Sequence, residues 1–298
     1  MKKLLLFAVS ILSAQFLFAQ NYQEEFSKYF KEKDTVNQLK VLQNWEKENP
    51  KDPELYTHYF NYYLFKKRQE VLSLESGGNG KEGLAIVDSL KNQVGFIGSR
   101  VLYDSSDFDK AIHKINEGIK LYPNRLDMTF GKIHSLSEVE NWRDFTDEII
   151  KIVKYSSKNN NEWTWTNNEK VENGKDMLLS SIQSYQNMLF NTERDDLLLN
   201  MREISEEILK YYPNHIESLS NIAVSYMFAG KFDEGLPYLF KAEKINPDDI
   251  VILNNIAHIY KNINDKKNAI KYYEKAFSKA NTEDDKVYFK EQIDLLKK

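Results

Sequence analysis

Two adjacent stretches decide the fold: IESLSNIAVSYMFAGKFDEGLPYLFKAEKINPDD over Ile216–Asp249, and IVILNNIAHIYKNINDKKNAIKYYEKAFSKANTE over Ile250–Glu283. They align without a gap, so Asn221-Ile222-Ala223 returns as Asn255-Ile256-Ala257 34 residues later. A period of that length marks stacked supersecondary units. In the first stretch Leu219, Ile222, Ala223 and Tyr226 share one helical face. Gly230 closes that helix, and a second follows with Phe232, Gly235, Leu236, Leu239 and Ala242 on one stripe, ended by Pro247. The next stretch repeats the plan with Leu253, Ile256, Ala257 and Tyr260, a polar turn at Asn264-Asp265, and then Ala269, Ile270, Tyr273 and Ala276. The small residues Ala223, Gly235 and Ala242, matched by Ala257, Ala269 and Ala276, fall where helices must approach closely.

This order of large and small residues resembles the tetratricopeptide repeat, and the resemblance implies an all-α solenoid of helix-turn-helix units. Working outward, Asp107 to Ile112 with Ile115, Gly118, Ile119, Leu121 and Pro123 reads as the second helix of another unit, whose short first helix is expected within Ile97 to Asp104. Val36 to Pro50, with Leu39, Leu42 and Trp45, and Leu197 to Pro213, with Ile204 and Ile208, read as degenerate second helices. Leu126 to Val139 and Trp142 to Tyr155 read as another helix pair. The lysine-rich end from Asp284 to Lys298 is expected to cap the array with a solvated helix. The expected organisation is therefore a signal segment over 1–19, degenerate helical repeats over 20–67, an insertion over 68–98, helical repeats over 99–155, a loop over 156–174, repeats over 175–283 and the cap over 284–298.

Two segments break the rhythm. In 68–98, Ser76-Gly77-Gly78-Asn79-Gly80 precedes Leu84 to Val87 and Val94 to Ile97, which predict a β-hairpin around a turn at Asp88 to Asn92. Gly78, Gly80 and Gly83 also spell G-x-G-x-x-G, with Asp104 about 20 residues on. A dinucleotide site needs alternating strands and helices on both sides, whereas Tyr59 to Phe65 before it is aromatic at helical spacing and Asp107 onward belongs to a repeat helix. No cofactor is therefore assigned. The other departure, Ser156 to Gly174, is Asn-rich and carries Trp163 and Trp165. Its two rings either form a contact patch for a partner or pack the loop back onto neighbouring helices.

The N-terminus has the layout of a secretory signal: Lys2-Lys3, an apolar run from Leu4, and Ala19 as the expected cleavage point, although Leu17 is large for its place upstream. Export to the periplasm or beyond is the expectation. Later apolar runs are too short to span a bilayer. The chain has no cysteine, which rules out disulfides, thiolate metal sites and a cysteine nucleophile. Losing Lys2 and Lys3 moves the formal charge from −4 to −6, giving nucleic-acid binding no support.

Catalytic patterns are missing. His58, His113, His134, His215 and His258 are scattered, with no H-x-x-x-H spacing for a metal. There is no G-x-S-x-G elbow, and the lysine after Gly80 is followed by Glu82 rather than a hydroxyl residue. Acidic pairs such as Asp195/Asp196 and Asp284/Asp285 sit at expected helix starts, where they suit the helix dipole. No enzyme activity is expected. The resemblance implies a concave groove lined by first helices, which places Ser220, Val224 and Met227 beside Asn254, His258 and Lys261 as partner-contacting residues. Ser220 and Val224 depart from the family's clamp of lysines and asparagines for a terminal carboxylate, so that ligand is not carried over. The expected role is a scaffold or adaptor that grips a segment of another protein. The alternative is a small ligand or glycan closed over by the 68–98 insertion and the tryptophan loop.

Overall fold

The computed structural model describes residues 21–75 and 83–298. The expected signal segment, and Gly78 and Gly80 of the glycine motif, lie outside the described residues. The fold is an all-α array of helix-turn-helix units with one small β insertion. It divides into two compact units, one comprising residues up to 141 with 159–174, the other 142–158 with 175–298.

In the first unit, α1 (residues 21–31) precedes α2 (Thr35–Glu48) and α3 (Pro53–Phe65). Phe26, Val41, Leu42, Trp45, Leu55 and Tyr59 form their common core. Asp34 and Asp52 start α2 and α3 by accepting backbone N–H groups of Asn37 and Glu54, which satisfies donors that the first turn leaves orphaned. After α3 the chain forms β1 (Gln69–Glu75), β2 (Gly83–Val87) and β3 (Gln93–Leu102), an antiparallel sheet in the order β1-β3-β2. The predicted hairpin is present as β2 and β3, with Asp88 Oδ1 accepting from Leu90 N and Asn92 N in its turn. The third strand, β1, corrects the reading, and β3 runs past the expected boundary at 98 to Leu102.

β3 also overturns the short first helix expected within Ile97 to Asp104. The true partner of α4 (Ser105–Leu121) is α3, forty residues upstream. Phe60 and Leu64 of α3 share a core with Ala111 and Ile115 of α4 and with Met128 of α5 (Leu126–Glu138). The sheet thus replaces the tight turn inside a helix pair.

The second unit contains α6 (Trp142–Ser156), α7 (Gly174–Asn191), α8 (Leu197–Tyr211), α9 (Ile216–Phe228), α10 (Phe232–Ile245), α11 (Ile250–Asn262), α12 (Lys266–Lys279) and α13 (Glu283–Lys297). Ala223, Ala242, Ala257, Ala269 and Ala276 are fully buried. A Cβ on Gly235 would lie 3.1 Å from the Ala223 carbonyl oxygen, so the close approach of α10 to α9 depends on this glycine. Gly230, at φ +70°, makes the turn between them, and Asn264, at φ +60°, makes the matching turn 34 residues later. Phe289 and Ile293 of α13 complete the core formed by α9 to α12.

Candidate functional site

Helices α7, α9 and α11 line a cleft of about 440 Å³. Phe190, Ile216, Val224 and Val251 give it apolar walls, and Asn187, Asn221 and Asn255 a polar rim. Hydrogen bonds between helices and along α7 tie the rim together. Asn255 Nδ2 donates to Ser220 Oγ at 3.2 Å, Asn221 Nδ2 to Gln183 Oε1 at 2.9 Å, and Gln183 Nε2 to Asn187 Oδ1 at 3.0 Å. A carboxamide carries both donors and acceptors, so each rim amide keeps capacity beyond these bonds. Glu217 and Asp249 border the cleft, and Asp249 Oδ1 is engaged by Val251 N and Ile252 N as the cap of α11.

Of the six residues expected to meet a partner, two line this cleft. Ser220 and Val224 line the cleft. Met227 packs against the core of α9 to α12. Asn254 is half-buried, and its buried Oδ1 has no hydrogen-bond partner. His258 Nε2 lies 2.9 Å from the Tyr288 hydroxyl, and Lys261 Nζ donates to Gln292 Oε1 at 3.0 Å, so both engage α13. Sequence reasoning missed Gln183, Phe190, Asn221 and Asn255. The signal was present, because Asn221 and Asn255 recur 34 residues apart one place before the core isoleucines.

The tryptophan loop belongs to the first unit. Thr164 N donates to Asn124 O at 2.9 Å, and Leu126 N to Thr164 O at 3.0 Å, which lays residues 163–165 along the α4–α5 link. Trp163 is fully buried. This corrects the contact-patch reading for that residue: its ring is core. Trp165 is half-buried, edge-on to Phe130 at 6.3 Å. Beneath the loop lies an ion cluster that the sequence did not reveal. Arg125, 1% exposed, meets Glu54 Oε1 at 2.5 Å through Nη1 and forks onto Asp127 through Nε at 2.9 Å and Nη2 at 2.7 Å. Glu54 Oε1 also accepts from Asn167 N of the loop at 2.8 Å.

Elsewhere in the second unit, His215 Nδ1 lies 2.8 Å from Ser218 Oγ, and its Nε2 lies 3.2 Å from Glu217 Oε2. The residue types are those of a nucleophilic triad, but Ser218 is fully buried and cannot reach a substrate. The arrangement is a helix cap, with Nδ1 accepting from Ser218 N at 3.3 Å. Burial pushes the His215 pKa down, against the opposing pull of Glu217. A depressed folded-state pKa means that the stabilisation is present above the unfolded value of about 6.5 and is lost as pH falls through the folded value. His58 and His258, also lowered by burial, add to the same trend. The melting temperature is expected to fall as pH drops below about 6.5, and His215→Asn, which keeps an acceptor but does not titrate, should flatten that slope. An unchanged slope in the variant would remove His215 from the account.

A tetratricopeptide repeat family model matches residues 250–278, within the second of the two aligned stretches. Among solved structures, the chain is similar to YrrB, described as a TPR protein with an unusual peptide-binding site, at 13% identity over 84% of this chain and 97% of that one, with a TM-score of 0.42. It is similar to MamA at 16% identity over 59% of this chain and 90% of that one, TM-score 0.39. It is also similar to PilW, described as a widely conserved type IV pilus biogenesis factor, at 11% identity over 89% and 93%, TM-score 0.37. No curated protein matches the chain.

Proposed function

We propose that this tetratricopeptide-repeat protein is an exported scaffold or adaptor that holds an extended segment of another protein in the cleft across α7, α9 and α11. The observation that supports this most is the polar rim of Asn187, Asn221 and Asn255 over the apolar walls of Phe190, Val224 and Val251. An extended segment exposes backbone N–H and C=O groups along its length, which carboxamides pair with, while an apolar side chain enters between them. Export rests on the Lys2-Lys3 and Leu4-to-Ala19 pattern, and no described helix is long and apolar enough to cross a membrane. No catalytic step is assigned. The alternative, a small ligand closed over by the insertion and the tryptophan loop, is not favoured, because Trp163 is buried.

The test places photo-crosslinking side chains at Val224 and Val251, isolates the captured protein from cell envelopes, and measures binding of the crosslinked segment as a peptide. Val224→Glu puts a charge where an apolar side chain is buried, worth about 1.5–3 kcal/mol, and should weaken binding roughly 10- to 100-fold. Leu121→Glu, at an exposed position on α4, should leave it unchanged. Equal affinity for the wild type and Val224→Glu would reject the reading.

A further inference from the structure

A second cleft, of about 660 Å³, opens between the first turns of α7 and the α8–α9 link. Lys175, Asp176, Leu179, Ser180 and Gln183 line one side, and Tyr211 to His215 with Glu217 the other. Its size falls in the range of about 300–1,000 Å³ typical of small-molecule sites. We infer that this cleft binds a neutral saccharide.

The lining chemistry supports that ligand class. Two carboxylates, Asp176 and Glu217, two carboxamides, Gln183 and Asn214, and one ammonium, Lys175, mix acceptors with donors. A sugar hydroxyl donates and accepts at once and needs both. The side chains of Lys175, Asp176, Tyr211 and Asn214 make no hydrogen bond with any described residue, so their capacity is unspent. Tyr211, Tyr212 and Pro213 line the same cleft, and aromatic and proline rings are apolar surfaces against which the C–H face of a pyranose ring packs. Charge rules out the simplest competitor. The two carboxylates outnumber Lys175, and His215 spends Nδ1 as the acceptor that caps α9, so an anion would meet net repulsion.

The experiment titrates the full chain with maltose, cellobiose and N,N′-diacetylchitobiose, with inorganic phosphate and glucuronate as charged probes, and follows backbone amide shifts by NMR. At least one neutral disaccharide should saturate shifts centred on residues 175–183 and 211–217. Tyr211→Ala, at a position 38% exposed, should weaken that binding at least about tenfold and leave the melting curve unchanged, and Asp176→Ala should weaken it as well. The inference is overturned if no neutral disaccharide shifts these amides, if binding survives both substitutions, or if phosphate binds more tightly than every neutral sugar. This site fails separately from the peptide cleft: Val224→Glu should leave sugar binding intact, and Tyr211→Ala should leave segment capture intact.

Discussion

Arg125→Ala is expected to destabilise the first unit by about 3–5 kcal/mol, the cost of leaving a buried charge without its counter-ion. Glu54 is 3% exposed, and Asp127 sits against the same guanidinium, so neither carboxylate reaches enough water to replace what Arg125 gives it. The damage should spread to the tryptophan loop, because Glu54 Oε1 also receives the Asn167 N–H and loses its fixed position. Arg125→Lys should recover little, since a single ammonium cannot fork onto Asp127 while reaching Glu54. Replacing Arg125, Glu54 and Asp127 together by apolar residues of similar size should restore much of the stability, because the whole cluster contributes far less than breaking it costs. Urea denaturation followed by circular dichroism, with amide exchange over residues 163–168, measures both effects. A loss below about 1 kcal/mol for Arg125→Ala would show that water reaches the carboxylates in solution.

The C-terminal repeats were legible because two signals coincide there: small residues at a fixed period and turn residues with one job each. The links between helix pairs carry a further regularity. Asn49-Pro50-Lys51-Asp52, Tyr122-Pro123-Asn124-Arg125, Tyr212-Pro213-Asn214-His215 and Asn246-Pro247-Asp248-Asp249 are one four-residue pattern. Its last residue caps the next helix through a side-chain acceptor at Asp52, His215 and Asp249. Arginine has no acceptor. Arg125 therefore stands out in the sequence itself as a position kept for something other than capping.

The insertion was hard to place for a different reason. Helix pairs are local in sequence, so a partner for α4 was sought just before it, where β3 runs instead; contact with α3 across the whole sheet leaves no periodic trace. Strand β1 was readable in principle, since Val71 and Ser73 alternate with Leu72 and Leu74, but both leucines are highly exposed, so the usual contrast of buried and solvated faces is absent. Of the expected groove residues, Ser220 and Val224 line the cleft across α7, α9 and α11. His258 and Lys261 bond Tyr288 and Gln292 of α13, partners that sequence spacing alone does not reveal.

Trp163→Ala should cost about 3–5 kcal/mol, the range for truncating a large buried aromatic, whereas Trp165→Ala, at a half-buried ring, should cost well under half of that. The difference follows from how tightly the loop closes on Trp163. A Cβ on Gly174 would lie 2.8 Å from Trp163 Cδ1 and 2.3 Å from the Asn161 carbonyl oxygen, so ring, backbone and glycine are already in contact. Val171 N donates to Trp163 O at 3.0 Å, and Thr164 is held to Asn124, so backbone hydrogen bonds on both sides resist collapse into the space the ring would leave. Poor collapse is the condition under which a cavity costs most. Because Arg125 anchors the same loop through Glu54 and Asn167, Trp163→Ala and Arg125→Ala share their damage, and the double variant should lose less than the sum of the single losses. Denaturation of the four proteins, wild type, each single variant and the double, measures that coupling. Strict additivity, or a Trp163→Ala loss no greater than that of Trp165→Ala, would mean that the loop is laid on the surface of the first unit and is not part of its core.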